Sequence, residues 1–276
     1  MSGPGTRAAA SVCIIACNEE HNLVRCLESV AFCEEVIVVV DDRSRDATAQ
    51  IARDAGARVV VHRYEGNVEQ KRVAISHARF DWVLSLDADE ALSDALGAEI
   101  RETLAADGGG FDGFEMNRLT WHLGRWIRHG DFFPDWQLRL FRRSKGRLEG
   151  VNPHGRIVVD GRTRRLGGEL LHYSYRDLAD QVERIQEFSR VQASALFAAG
   201  RSVRVRDLWL RPPARFVRAF VLKQGFRDGI AGLVIATATA FHVFLKYAKL
   251  WELETSRPRI EPEAGKSRAS AGERAP

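Results

Sequence analysis

The sequence predicts an α/β protein with a mostly parallel sheet and helices on both of its faces, followed by a C-terminal helical region. Three observations lead there. Short apolar runs alternate with stretches of helical period over the first third of the chain, which is the signature of repeated strand–helix–strand units. Two of those runs end abruptly in aspartates. Beyond Gly108-Gly109-Gly110 the alternation stops, and from Asp177 onward the pattern is helical.

Taken in order, Ser11 to Ala16 is a short apolar run, the pattern of a strand buried on both faces. Leu23, Cys26, Leu27 and Val30 then fall at helical spacing within Glu19 to Val30. Val36 to Val40 is a β-branched run that stops at Asp41-Asp42. Asp46 to Ala55 reads as a helix, Arg58 to Val61 as a strand and Val68 to Ala78 as a helix. Trp82 to Leu86 is a fourth strand ending in Asp87-Ala-Asp89-Glu90, and Ser93 is placed to cap a helix through Leu104. Phe111 to Leu119, Trp136 to Phe141 and Arg156 to Val159 read as strands without long crossovers, so a mixed or antiparallel region follows. The expected divisions are a parallel α/β half over 1–110, a mixed half over 111–176, helices over 177–254 and a disordered tail over 255–276.

With 276 residues, 45% hydrophobic and 28% charged, the chain has the composition of a globular protein rather than a disordered one. Met1 to Ala10 carries no apolar stretch of the kind a secretory signal needs, so a cytosolic chain is expected. Cys13, Cys17, Cys26 and Cys33 match no zinc-ligand spacing and read as reduced thiols.

In open α/β sheets, ligands bind at the carboxyl ends of the strands, where the strand order reverses. Asp41-Asp42 and Asp87-Ala-Asp89 both sit at such ends and should face one crevice. Two carboxylates one residue apart suit a hard divalent cation, Mg²⁺ or Mn²⁺, which takes oxygen ligands and substrate phosphates. Asp41 and Asp42 suit hydrogen bonds to a base or ribose, and Asp41 or Asp46 also suits the cap of the next helix. Gln70 and Lys71 open a helix near the same crevice, where Lys71 can equally be a surface charge.

The runs SVCIIACNEEHNLVRCLESV, EVIVVVDDRSRDAT and DWVLSLDADE resemble the nucleotide-binding half of family-2 inverting glycosyltransferases of the Rossmann-like GT-A fold. The later runs LGRWIRHG, PDWQLRLFRR, LLHYSY and FHVFLKYAKLWE resemble a narrower group, the lipopolysaccharide-core β-1,4-glucosyltransferase type. The resemblance covers about Ser11 to Glu252. It implies that Asp41 and Asp42 contact base and ribose, that Ala16, Asn18 and Glu19 line the nucleotide pocket, and that the stretch with Gln70 and Lys71 helps position the nucleotide. It further implies that Asp87 touches ribose or metal, that Asp89 is the principal metal ligand and that His172 completes the metal site. Two positions depart from the pattern. Arg43 stands where a glycine is common, so Arg43 and Arg45 either approach a phosphate or stay solvated. His154-Gly155 replaces the group's His-Glu, whose glutamate the resemblance points to as catalytic base. An inverting transfer needs a base for the acceptor hydroxyl. Asp135 is the first candidate here, with Asp131 and His154 behind it.

Eight cationic residues (Arg201, Arg204, Arg206, Arg211, Arg215, Arg218, Lys223 and Arg227) alternate with Trp209, Phe216, Phe220, Phe226 and aliphatic side chains. That pattern describes an interfacial helix on an anionic membrane. Nucleic acid is not expected, because no binding motif accompanies the charge. Gly229 to Leu245 is apolar and reads as a helix lying in the interface, the alternatives being a buried packing helix or a contact in a homo-oligomer. Arg125, Arg128, Arg139 and Arg142 either hold acceptor phosphates or stay solvated.

The function expected is metal-dependent transfer of a hexose, glucose in the narrower group, from a nucleoside diphosphate sugar donor to a lipid-linked saccharide acceptor such as a lipopolysaccharide core. It would take place at the cytoplasmic face of the inner membrane. A nucleotidyltransferase and a catalytically inactive membrane-bound scaffold are the alternatives. The former would open with a Gly-rich basic loop where this chain has Cys17-Asn-Glu-Glu20.

Overall fold

The computed structural model describes residues 7–150 and 155–256. Strand β1 (Ala8–Ala16), helix α1 (Glu20–Ser29), β2 (Cys33–Asp41), α2 (Thr48–Asp54), β3 (Arg58–His62), α3 (Asn67–Ser76) and β4 (Trp82–Asp87) follow the alternation read from the sequence. β1 pairs in parallel with β2 on one side and β4 on the other, and β2 with β3. Val12, Ile14, Val38, Val83 and Leu84 are fully buried, because helices cover both faces of these central strands. Helix α4 (Asp94–Ala105) starts where expected: the Ser93 Oγ accepts the Leu96 N–H at 3.2 Å.

The second half adds β5 (Glu90–Leu92), β6 (Gly113–His122), β7 (Arg125–Ile127), β8 (Trp136–Arg142), β9 (Gly146–Glu149), β10 (Arg156–Val159) and β11 (Thr163–His172). One nine-stranded sheet runs β3-β2-β1-β4-β8-β6-β11-β5, with β7 beside β6. β8 is antiparallel to both β4 and β6, β11 is parallel to β6 and β5 is antiparallel to β11, so the second half is mixed. The expected strand at 156–159 is β10, but it pairs with β9 in a separate hairpin. Gly108, in the turn before β6, has φ +77, and the Trp82 ring fills the space where a Cβ would stand. All four cysteines are free thiols, as read from their spacing.

Helices α5 (Leu178–Ala198), α6 (Val205–Trp209), α7 (Arg211–Val217) and α8 (Gly229–Thr255) complete the described chain. α8 packs along α5 and α7. Lys249 Nζ ties α8 to α5 by donating to the Gln186 carbonyl at 2.7 Å and the Ser189 Oγ at 2.8 Å. The basic segment is not the single helix its composition suggested. Pro212 and Pro213 start a new helix at α7, and Gln224 has a left-handed φ of 57, which turns the chain into α8. The helical segment Gly225–Thr255, with a stretch of 18 residues at mean hydropathy 1.6, is by length and composition long and apolar enough to cross a membrane. The sequence predicts a disordered tail from 255, but Thr255 still belongs to α8, and residues 257–276 lie outside the described residues.

Candidate active site

The chain turns outward from β1 to β2 and β3, then returns to place β4 on the other side of β1, so the strand order reverses between β1 and β4. A cavity of about 500 Å³ opens at the carboxyl ends of these strands, within the usual size range of ligand sites. Ala16, Asp41 and Asp87 end β1, β2 and β4, and Glu19, Arg43 and Asp89 follow them; all six line it. Lys71 on α3, His172 at the end of β11 and Arg184 on α5 complete the wall with Arg118, Gln137 and Arg139. The two acidic strand ends therefore face one crevice, as their positions predicted.

Cations surround Asp87. Lys71 Nζ lies 2.7 Å from its Oδ1, and Arg139 donates to its Oδ2 at 2.9 Å. The same Arg139 nitrogen donates to Glu90 Oε1 at 2.5 Å, and Arg118 reaches that oxygen at 3.4 Å. Glu90 is fully buried, and its other oxygen accepts the Asp87 N–H at 3.1 Å. Burial disfavours the charged form of Asp87, but Lys71 and Arg139 outweigh it and hold the carboxyl well below the usual range. Asp89 faces a different partner: His172 Nε2 lies 3.4 Å from its Oδ2, and the other ring nitrogen lies 3.4 Å from Thr120 Oγ1. Burial pushes the Asp89 carboxyl up and His172 more than reverses this, so it too lies below the ordinary value.

A hard divalent cation fits this donor set in part. Asp89 and His172 offer an oxygen and a nitrogen side by side, and Thr120 turns the remaining imidazole nitrogen away from the cavity. Asp87 does not fit as a free ligand, because two cations already hold its oxygens. Among the described residues no three His, Cys, Asp or Glu side chains converge on a common point. The rest of a coordination shell would have to come from phosphate oxygens and water, as is usual for Mg²⁺.

At the β2 end, Arg43 stays exposed to solvent, but Asp41 occupies its guanidinium. Its Nε and terminal nitrogens donate to the two Asp41 oxygens at 2.9 and 2.6 Å, and its guanidinium lies 3.8 Å from the Tyr64 ring centroid. The Arg43 hydrogen bonds are the main reason that the Asp41 carboxyl sits below its ordinary value. Arg45 closes on its own loop by donating to the Asp42 carbonyl at 2.6 Å. Asn18 and Asp42 do not line the cavity. Asn18 Oδ1 accepts the Arg45 N–H at 2.8 Å, and Asp42 Oδ1 accepts the Tyr64 N–H at 3.3 Å, so both shape the loops behind the wall.

Neither acidic candidate for the base reaches the cavity wall. Asp135 is clamped by Arg118 at 2.7 Å and accepts from Gln137 Nε2 at 2.6 Å. It thereby positions two lining residues without joining them. Asp131 lies under the C-terminal helices, 2.9 Å from Arg215 and 3.1 Å from Lys223. His154, the third candidate, lies outside the described residues. Its neighbour Gly155 does line the cavity, and a Cβ there would collide with the Val68 side chain, so a side chain at this position requires Val68 to shift. The four arginines set aside for acceptor phosphates are also engaged. Arg125 donates to the Asp228 carbonyl, Arg128 binds Glu169, Arg142 pairs with Asp107, and Arg139 is in the Asp87–Glu90 network.

Residues 11–160 match Glycosyl transferase family 2. The chain belongs to that family. It is 31% identical to the lipopolysaccharide core biosynthesis glycosyltransferase LpsC of Rhizobium meliloti, over 91% of this chain and 96% of that protein. It is likewise 31% identical to an uncharacterized glycosyltransferase of Rickettsia typhi, over 88% and 87% of the two chains. Among solved structures it is similar to glucosyl-3-phosphoglycerate synthase from Mycobacterium tuberculosis, in complex with Mn²⁺, uridine-diphosphate-glucose and phosphoglyceric acid. That likeness has a TM-score of 0.33 and 23% identity over 42% of this chain and 45% of that one. The family's Rossmann-like α/β sheet is the one described above. As a family-2 glycosyltransferase, the chain has its acidic residues where its sheet topology demands a ligand.

Sequence reasoning missed Glu90, Arg118, Gln137 and Tyr64. A signal for Gln137 and Arg139 was present: they sit two apart, alternating with Leu138 and Leu140, and so share one face of a strand. Two polar side chains on one face of a largely buried strand ask for a polar cavity.

Proposed function

We propose that this family-2 glycosyltransferase moves a hexose from a nucleoside diphosphate sugar to a lipid-linked saccharide such as a lipopolysaccharide core, working at the cytoplasmic face of a membrane. One observation carries the reading: Glu19, Asp41, Asp87 and Asp89 line one cavity with Lys71, Arg139 and Arg184, so carboxylates that can meet a sugar nucleotide and its metal stand beside positive charge that offsets them. The similarity to LpsC over nearly the whole of both chains supports the lipopolysaccharide class of acceptor. Glucose is the sugar suggested by the narrower sequence group.

In this reading Ala16, Asp41 and the Arg43–Tyr64 stack bound the base and ribose end. Lys71 and Arg139 keep Asp87 charged and oriented toward the donor. Asp89 and His172 would hold Mg²⁺ or Mn²⁺, which when bound neutralises the charge growing on the departing nucleoside diphosphate. Among the described residues Glu19 is the lining carboxylate without an ion pair, and burial raises its pKa, which makes it the stronger base. We assign it to take the acceptor hydroxyl's proton as that oxygen attacks the anomeric carbon directly, inverting its configuration.

A thermal-shift screen of sugar nucleotides with and without Mn²⁺ tests the proposal. A donor at a hundred times its Kd adds about 2.7 kcal/mol of stability. That is roughly 5–10 °C for a chain of this size. A donor that shifts the midpoint only with metal supports the reading. No shift with any sugar nucleotide contradicts it, and a shift without turnover on any acceptor favours the inactive scaffold.

A further inference from the structure

A second cavity, of about 550 Å³, lies away from the acidic crevice, between the C-terminal end of α5, the start of α6 and the far end of α8. Arg201, Arg204, Arg206 and Arg211 line it together with Tyr247, against a single carboxylate, Asp207. That carboxylate is spent inside the fold. It accepts the Arg204 N–H at 3.0 Å, and Arg211 Nε lies 2.6 Å from it. The Arg211 guanidinium also lies 5.0 Å from the Tyr247 ring centroid, which fixes it in the wall. Among the described residues Arg201, Arg204 and Arg206 form no ion pair, and all three are exposed. Three uncompensated cations around a concavity form an anion site, and guanidinium groups match phosphate oxygens in geometry.

The neighbours of this cavity are apolar and point outward. Val205, Trp209 and Leu210 are 74%, 75% and 65% exposed, although they flank the buried Asp207. Tryptophan next to cations is the combination that sits at the headgroup level of a bilayer. Leu196, on the cavity wall, lies twelve residues along α5 from Arg184, on the wall of the acidic crevice. At a rise of 1.5 Å per residue the two sites are separated by about 18 Å along the helix.

We infer that the arginine-lined cavity binds the phosphate of an anionic lipid headgroup, with Trp209 and Leu210 entering the bilayer beside it. The protein is thereby docked with its transfer site held roughly 18 Å from the bound headgroup. The inference rests on the membrane part of the proposed function and not on the transfer chemistry.

The test is co-sedimentation of the full chain with vesicles of phosphatidylcholine alone or mixed with phosphatidylglycerol. Each basic residue near an anionic surface accounts for about a fivefold change in partitioning. The variant R201Q/R204Q/R206Q should therefore bind mixed vesicles about 100-fold less than wild type, and W209S/L210S should also lose binding. The control R53Q/R58Q/R101Q, which removes the same charge from the distant β2–α2–β3 edge and α4, should lose several-fold at most. Equal losses in the two triple variants, or no preference of wild type for mixed vesicles, would overturn the assignment. Inorganic phosphate binding by wild type that R201Q/R204Q/R206Q abolishes, with vesicle binding equal in the two proteins, would assign the cavity to soluble phosphate compounds instead. Donor hydrolysis in vesicle-free solution reads the transfer site separately. Its absence sinks the transferase proposal and leaves the vesicle result standing.

Discussion

The Arg139 network offers the most quantitative check on the site. Replacing Arg139 by methionine keeps the strand packing but removes the guanidinium shared by Asp87 and Glu90. Glu90 has no solvent exposure and would be left facing Arg118 alone, at 3.4 Å. Breaking one partner out of a buried ion pair costs about 3–5 kcal/mol. The lower end applies here, because Arg118 remains and Lys71 still holds Asp87 at 2.7 Å. About 3 kcal/mol corresponds to a midpoint roughly 6–12 °C lower. Adding Glu90→Gln to Arg139→Met removes the stranded charge and should restore about 2 kcal/mol, since neutral replacements of buried pairs are often tolerated. Urea unfolding of wild type, both single variants and the double variant, at equal m-values, measures this coupling. If Arg139→Met lies within 1 kcal/mol of wild type, or the double variant is no more stable than Arg139→Met, the network is not what holds Asp87 in place.

Further outcomes follow from the same geometry. Glu19→Gln should lower kcat by about 10²–10⁴ while leaving donor binding near the wild-type value; an unchanged kcat in steady-state assays removes Glu19 as the base. Ser93→Ala should cost about 1 kcal/mol in urea unfolding, because its Oγ caps α4 and also accepts the Glu169 N–H at 3.3 Å. The Asp41 carboxyl is depressed by Arg43, so their pairing stabilises the fold fully above the ordinary aspartate range and fades as pH falls through the lower folded value. The stability gap between wild type and Arg43→Gln should thus be constant near pH 7 and shrink below about pH 4. A gap that widens on acidification would contradict the pairing.

Much of the fold was legible because its central strands are buried on both faces. Val36 to Val40 and Trp82 to Leu86 can only be strands of a covered sheet, and their abrupt acidic ends mark the ligand edge. β5 and β7 escaped because three residues are too few to show a period. β11 escaped because Gly167-Gly168 interrupts its apolar alternation. In the site, Ala16, Glu19, Asp41, Lys71, Asp87, Asp89 and His172 converge as expected. Asp135 did not, because its sequence context shows a carboxylate after a proline but not the arginine on the neighbouring strand β6 that captures it. Arg43 is the same case in reverse: a residue that reads as a departure from a glycine pattern turns out to hold the Asp41 carboxylate.

The central claim is that Asp89 and His172 grip a divalent cation together with the donor's diphosphate. Its most direct test is Mn²⁺ binding measured by electron paramagnetic resonance, with and without a nucleoside diphosphate, in wild type and Asp89→Asn. Wild type should bind Mn²⁺ tightly only when the nucleotide is present, and Asp89→Asn should weaken that binding by about 10–100-fold. Equal Mn²⁺ affinity in the two proteins, or affinity indifferent to the nucleotide, would contradict the claim.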